Sequence, residues 1–153
     1  MHKKLKVDKN FIPLPVADDD ELYPNGIFLF NITKMLEYIH DNPVLFIPEV
    51  ISVKAIYRQS AVINASHLDT VDLAKPIILA EIAPDRYNVI DGNHRVEKAH
   101  RRNIETVLAY RIKAEQHTKF LVNRVAYEKY VEYWNDNIKK MEKNNYGQNS
   151  HKK

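Results

Sequence analysis

Tyr87-Asn88-Val89-Ile90-Asp91-Gly92-Asn93-His94-Arg95-Val96-Glu97-Lys98-Ala99 is the stretch from which the fold is read. It opens as a short apolar strand, turns at a glycine, and continues with polar and basic residues suited to the first turn of a helix. A helix N-terminus carries unpaired N–H groups and the positive end of the macrodipole, so it favours anions. Glycine permits a sharp turn and a close ligand approach. His94 and Arg95 add side-chain donors of the type that hold phosphate oxygens. The spacing therefore predicts either an anion site, phosphate first, or a plain strand–turn–helix with solvated basic residues.

The flanks extend the pattern. Pro76-Ile77-Ile78-Leu79 predicts a strand over 76–82, joined through Ala83-Pro84-Asp85 to a second strand at 86–90 as a hairpin. The motif helix is expected over Gly92–Arg102, with Asn103 as its left-handed stop, and Thr106–Ile112 reads as a closing strand. Upstream, Glu49–Ile56 alternates as a strand, with Lys54 on the Val50 side. Ser66 caps a predicted short helix to Ala74, with Thr70 one turn along the same face.

Residues 1–49 add fewer signals. Residues 1–10 read as polar and loose, Phe11–Pro15 as extended, and Asp18–Glu21 as a solvated acidic loop. Gly26–Phe30 reads as a buried strand, and Asn31 as the N-cap of a helix over Ile32–Ile39 that Asn42-Pro43 stops. After the motif, a single long helix is expected from Ala114 to Lys143. Phe120, Leu121, Val125, Tyr127, Val131, Trp134, Ile138 and Met141 form its apolar stripe. That stripe either packs on the domain or makes a homodimer interface. The expectation is one α+β domain over residues 1–143, a small mixed β-sheet with short helices plus a long C-terminal helix, and a flexible tail at 144–153.

The segment from Val50 to Ile112 resembles the ParB/sulfiredoxin superfamily. The residues that carry the likeness are the Pro-Ile strand, the second strand, the Asp91-Gly92-Asn93-His94-Arg95 turn, Ala99 four residues after Arg95, and the 106–112 strand. The resemblance implies that the turn and helix N-terminus cradle the phosphates of a nucleoside triphosphate or diphosphate, ATP or CTP, with Mg²⁺. It implies contacts from Gly92, Asn93, His94 and Arg95, with Ser66, Thr70 and Lys54 facing the same nucleotide. Asp91 and His94 become the candidate catalytic pair of a nucleotide-dependent phosphotransferase or hydrolase, with a nuclease the weaker reading. The alternative is a non-catalytic module that binds nucleic acid or protein with the same fold.

Three departures narrow the likeness. Sulfiredoxins place their catalytic cysteine where this chain has Asn93, and the sequence holds no cysteine. Without a thiolate that chemistry is excluded, along with disulfides and thiolate zinc sites. Val96 stands where the CTP-binding partition proteins carry a second arginine, and no helix-turn-helix pattern follows the motif.

Composition sets the outer bounds. The chain has 153 residues, 44% hydrophobic and 28% charged, as soluble globular domains do. No apolar run reaches the ~20 residues of a membrane span, so no membrane partner is expected and a cytoplasmic location fits. Histidines and carboxylates show no metal-site spacing. The net charge of +3 conceals an asymmetry. Residues 1–93 carry 9 Lys and Arg against 13 Asp and Glu, a balance of −4, whereas residues 94–153 carry 14 against 7, a balance of +7. That basic portion is a candidate nucleic-acid surface.

Overall fold

A computed structural model describes residues 2–26, 28–58 and 65–150, without the side chains of 65, 66 and 146–150. Its architecture is α+β. A hairpin of β1 (Leu22–Asn25) and β2 (Phe28–Asn31) leads into α1 (Ile32–Asp41). Then follow β3 (Glu49–Ser52), the single helical turn α2 (Val53–Ile56), a 3₁₀ segment (Ala65–Thr70), β4 (Ile77–Ala83), β5 (Arg86–Asp91), α3 (Asn93–Arg101) and β6 (Thr106–Ile112). The chain closes with α4 (Ala114–His117), a 3₁₀ turn (Thr118–Phe120) and α5 (Arg124–Ser150). Among the described residues no helix is long and apolar enough to cross a membrane.

The main sheet has the order β3-β6-β4-β5. β4 runs parallel to β6 and antiparallel to β5, so the β4–β5 hairpin and the α3 crossover to β6 together build the mixed sheet. All seven residues of β4 are buried, because helices and the N-terminal hairpin cover both of its faces. Ile78, Ala80 and Ile82 pack toward a core shared with β2, α1 and α5, whereas Ile77 and Leu79 pack with Val96 and Ala99 of α3. Alternation along one strand thus divides the interior in two.

Asn31 does what its position predicts. Its Oδ1 accepts from the Lys34 N–H at 3.0 Å, its Nδ2 donates to Asp20 Oδ2 at 2.9 Å, and the residue is 2% exposed. Asn31→Ala should cost about 1–2 kcal/mol, the loss of a helix cap together with a buried polar contact. Urea unfolding at neutral pH would measure it; an unchanged midpoint would contradict the assignment.

Four sequence expectations need correction. The strand at 49–56 ends at Ser52, where the chain turns into α2, so Lys54 lies on a helical turn. The helix expected over Ser66–Ala74 is a 3₁₀ segment ending at Thr70. The long helix does not begin at Ala114. Leu121 forms a bridge with Phe30, Val122 donates its N–H to Leu29 O at 3.0 Å, and Asn123 then caps α5 by accepting from the Ala126 N–H at 2.7 Å. At its other end α5 runs through the expected tail to Ser150.

Residues 2–11 are not loose either. Asn135 brackets Leu5 with two amide hydrogen bonds of 2.8 and 2.9 Å, Trp134 Nε1 donates to Lys3 O at 2.9 Å, and Phe11 stacks on Tyr127 with ring centroids 4.0 Å apart. This strap lies along α5. Tyr127, Tyr130, Val131, Trp134 and Ile138 are buried in the core shared with β2 and β4, so most of the apolar stripe is covered within the chain, whereas Val125 and Met141 stay exposed.

Candidate functional site

The predicted turn forms as a sharp junction between β5 and α3. Gly92 occupies the N-cap position with φ +100°, and among the described residues no side chain caps the helix. The first intrahelical bond runs from the Val96 N–H to Gly92 O, which leaves the N–H groups of Asn93, His94 and Arg95 facing outward. Space as well as φ requires glycine here. A Cβ at Gly92 would stand 2.5 Å from Ile77 Cγ2 and 2.8 Å from Arg95 Nη2.

Arg95 folds back across that glycine. Its Nη2 donates to Asp91 Oδ2 at 3.1 Å and to Pro76 O at 3.4 Å, while its buried Nε has no partner among the described residues. The side chains of Arg95 and Asp91 are only 16% and 19% exposed, so water weakens this ion pair less than it would a surface pair. Asp91 is therefore engaged in holding Arg95 through Oδ2.

A cavity of about 430 Å³ opens in front of the turn. Asp91, Gly92, His94 and Arg95 form one wall, and His67, Thr70, Asp72 and Lys75 form the other. Lys98 of α3 fixes the second wall: its ammonium, on a side chain buried against the helix, donates to Asp69 O at 3.2 Å and Val71 O at 2.7 Å. Thr70 Oγ1 donates to His67 O at 2.9 Å, tightening the same segment. The charged groups lining the cavity are Arg95 and Lys75 against Asp91 and Asp72, together with the imidazoles of His67 and His94.

The structure brings Asp91, Gly92, His94, Arg95 and Thr70 to one cavity. The Asn93 side chain points away from it, donating from Nδ2 to the Tyr23 hydroxyl at 3.2 Å, so only the backbone N–H of Asn93 faces the turn. Lys54 lines a separate hollow with Tyr57, His100 and Asn103, toward the C-terminal end of α3. The Ser66 side chain lies outside the described residues. No hydrogen bond joins Asp91 to His94 among the described residues.

Sequence reasoning missed His67, Asp72 and Lys75. Lys75 and Asp72 shortly precede the Pro76-Ile77 strand entry, which was their one local signal.

No protein-family model, curated protein or solved structure matches this chain. What the site can do therefore follows from its own geometry.

The basic C-terminal portion is less free than its balance of +7 suggests. Arg101 pairs with Glu97 at 2.9 Å, Arg102 with Asp69 at 3.1 Å, and Arg124 with Glu128 at 2.8 Å. Arg111 pairs with Glu49 at 2.6 Å. These arginines are scattered over α3, β6 and α5, and each already has a carboxylate neighbour.

Proposed function

We propose that the β5–α3 turn binds the phosphates of a nucleotide. The observation that carries the reading is the uncapped helix N-terminus at Gly92, with Arg95 laid across it. Three outward N–H groups and an oriented guanidinium make the donor arrangement a phosphate oxygen needs. Lys75 and His94 supply further donors from the cavity wall. The likeness of residues 50–112 to the ParB/sulfiredoxin superfamily supports a nucleoside triphosphate or diphosphate, ATP or CTP, over a smaller anion.

In a phosphotransferase or hydrolase built on this turn, His94 is the proton-handling group. Asp91 is a positioning residue, because it acts through Arg95. Asp72 is the exposed carboxylate on the same cavity, placed to hold a Mg²⁺ ion that would neutralise phosphate charge. Cytoplasmic nucleotide pools would supply the ligand. A non-catalytic module using the same donors is the competing reading, and it predicts affinity that tracks nucleic-acid length and falls steeply with salt.

Thermal melting with ATP, CTP, GTP, ADP and inorganic phosphate, each with and without magnesium, tests the proposal. A nucleotide at about 100 times its dissociation constant should add about 2.7 kcal/mol, a rise in Tm of roughly 5–10 °C for a domain of this size. Arg95→Ala should abolish that rise. If no nucleotide raises the Tm, the turn is a structural junction only.

A further inference from the structure

At the end of β5 opposite the Gly92 turn, three metal-ligating side chains converge. His2, Glu81 and Asp85 each offer one ligand atom, and these atoms all lie within 4.8 Å of one another. Glu81 is the fixed member. It is 6% exposed, and its carboxylate accepts from the Ala114 N–H at 3.2 Å through Oε1 and from the Asp85 N–H at 3.0 Å through Oε2. Those two bonds use half of the roughly four lone-pair positions of a carboxylate. The group also lines a hollow of about 560 Å³ beside the N-terminal strap. Among the described residues no lysine, arginine or histidine forms an ion pair with Glu81. A buried carboxylate ordinarily has a cationic partner or a metal.

His2 and Asp85 are the adjustable members, with side chains 28% and 79% exposed. They already meet, His2 Nε2 standing 2.7 Å from Asp85 Oδ2. The His2 ring packs edge-on against Trp134 with centroids 5.9 Å apart, and Trp134 Nε1 donates to Lys3 O, so the strap delivers the imidazole to the hairpin turn. Zinc binds imidazole and carboxylate at about 2.0–2.2 Å, which sets tetrahedral ligand atoms roughly 3.3 Å apart. Rotation of the two exposed side chains reaches that spacing without moving Glu81. We infer that His2, Glu81 and Asp85 form a binding site for a divalent transition-metal ion of the zinc type. The imidazole selects such an ion over magnesium or calcium, which take oxygen ligands. Lys3, Lys4, Lys6 and Lys113 line the same hollow and oppose an ion held by charge alone. Three protein ligands leave a fourth position for water or another ligand. The site is separate from the phosphate cavity, and its ligands come from residue 2 and from residues 81 and 85, a separation that no sequence spacing reports.

Calorimetric titration of the full chain with Zn²⁺, after chelator treatment and without an added tag, tests the inference, and Co²⁺ gives a visible absorption readout of the same site. No nucleotide is present, so failure of the phosphate reading would leave the result intact. One equivalent of Zn²⁺ should bind at micromolar concentration and resist a hundredfold excess of Mg²⁺. His2→Ala and Asp85→Asn should each weaken that binding tenfold or more and remove the Co²⁺ absorption bands. Both positions tolerate the change: His2 lies in the strap, and asparagine adopts the left-handed conformation that Asp85 holds at φ 60°. His40→Ala, at an exposed position of α1, should bind as the wild type does. The inference is overturned if Zn²⁺ does not bind below millimolar concentration, if Mg²⁺ displaces it, or if His2→Ala and Asp85→Asn bind as tightly as the wild type.

Discussion

Gly92→Ala should destabilise the protein by about 2–6 kcal/mol and remove anion binding at the turn, because two independent costs add. A non-glycine residue held at a positive φ pays roughly 1–3 kcal/mol. Forcing a methyl group into occupied space costs about 1–3 kcal/mol more through displaced neighbours. The methyl would meet Ile77 Cγ2 at 2.5 Å and Ile77 Cβ at 2.9 Å, and Ile77 is fully buried on the central strand, so it cannot swing away. The third neighbour, Arg95 Nη2 at 2.8 Å, can move, but doing so breaks its pair with Asp91. Chemical unfolding reads the stability, and melting with nucleotide reads the site. A Gly92→Ala variant as stable as the wild type would mean that the turn is looser than its φ of +100° requires.

Acid should weaken the fold through His117 well above the range where carboxylates alone titrate. His117 is wholly buried between β4 and α5, and the Phe30 and Tyr130 rings pack edge-on against it. Its Nε2 donates to Glu81 O at 2.6 Å, the oxygen that also accepts from the Tyr130 hydroxyl at 2.6 Å, while Nδ1 has no partner among the described residues. Burial holds the imidazole neutral and pushes its pKa down from 6.5 to about 4. The unfolded chain takes up the proton below its ordinary pKa, whereas the folded chain does not until about pH 4. Stability from this group is therefore complete above pH ~6.5, is lost as pH falls through the window, and levels off below about 4. The full window corresponds to roughly 3 kcal/mol. Unfolding free energies measured from about pH 7.5 to about 4 should fall more steeply for wild type than for His117→Gln, even though the variant starts less stable. Parallel slopes would contradict the assignment. The comparison removes the carboxylate contribution, because both proteins share it.

The middle of the fold was legible because its signals are local. Apolar pairs flanking Ala83-Pro84-Asp85 define the β4–β5 hairpin, and Asp85 takes the left-handed turn with φ 60°. Asn103, at φ 54°, ends α3 as its side chain predicts. The failures share a different cause. Phe120 and Leu121 match helical spacing with the α5 stripe, yet they are buried for other reasons, Leu121 by pairing with Phe30 across a bridge. No periodicity within residues 114–143 reports a contact made to residues 29 and 30. The strap at residues 2–11 is ordered by Asn135, Trp134 and Tyr127, more than a hundred residues away, and its own sequence is merely polar. β1 carries Pro24 and shows no clean alternation, so only pairing with β2 reveals it as a strand.

The candidate site divides along the same line. Its turn was readable because glycine, helix start and basic side chains are consecutive. Its far wall was not, because His67 to Lys75 are held there by Lys98, through backbone carbonyls that leave no mark in the sequence. Asn93 was assigned by its place in the motif, but a helix turns successive side chains by about 100° each. Asn93 and His94 accordingly face different cavities.

The most direct measurement is an amide-resolved NMR titration of ¹⁵N-labelled protein with the nucleotide that gives the largest melting shift. The account predicts saturable shifts centred on the backbone N–H groups of Asn93, His94 and Arg95, and on the Arg95 Nε–H, with Arg95→Ala eliminating them. Shifts that leave these groups unmoved while affecting another surface would contradict the claim that the Gly92 turn holds the phosphates.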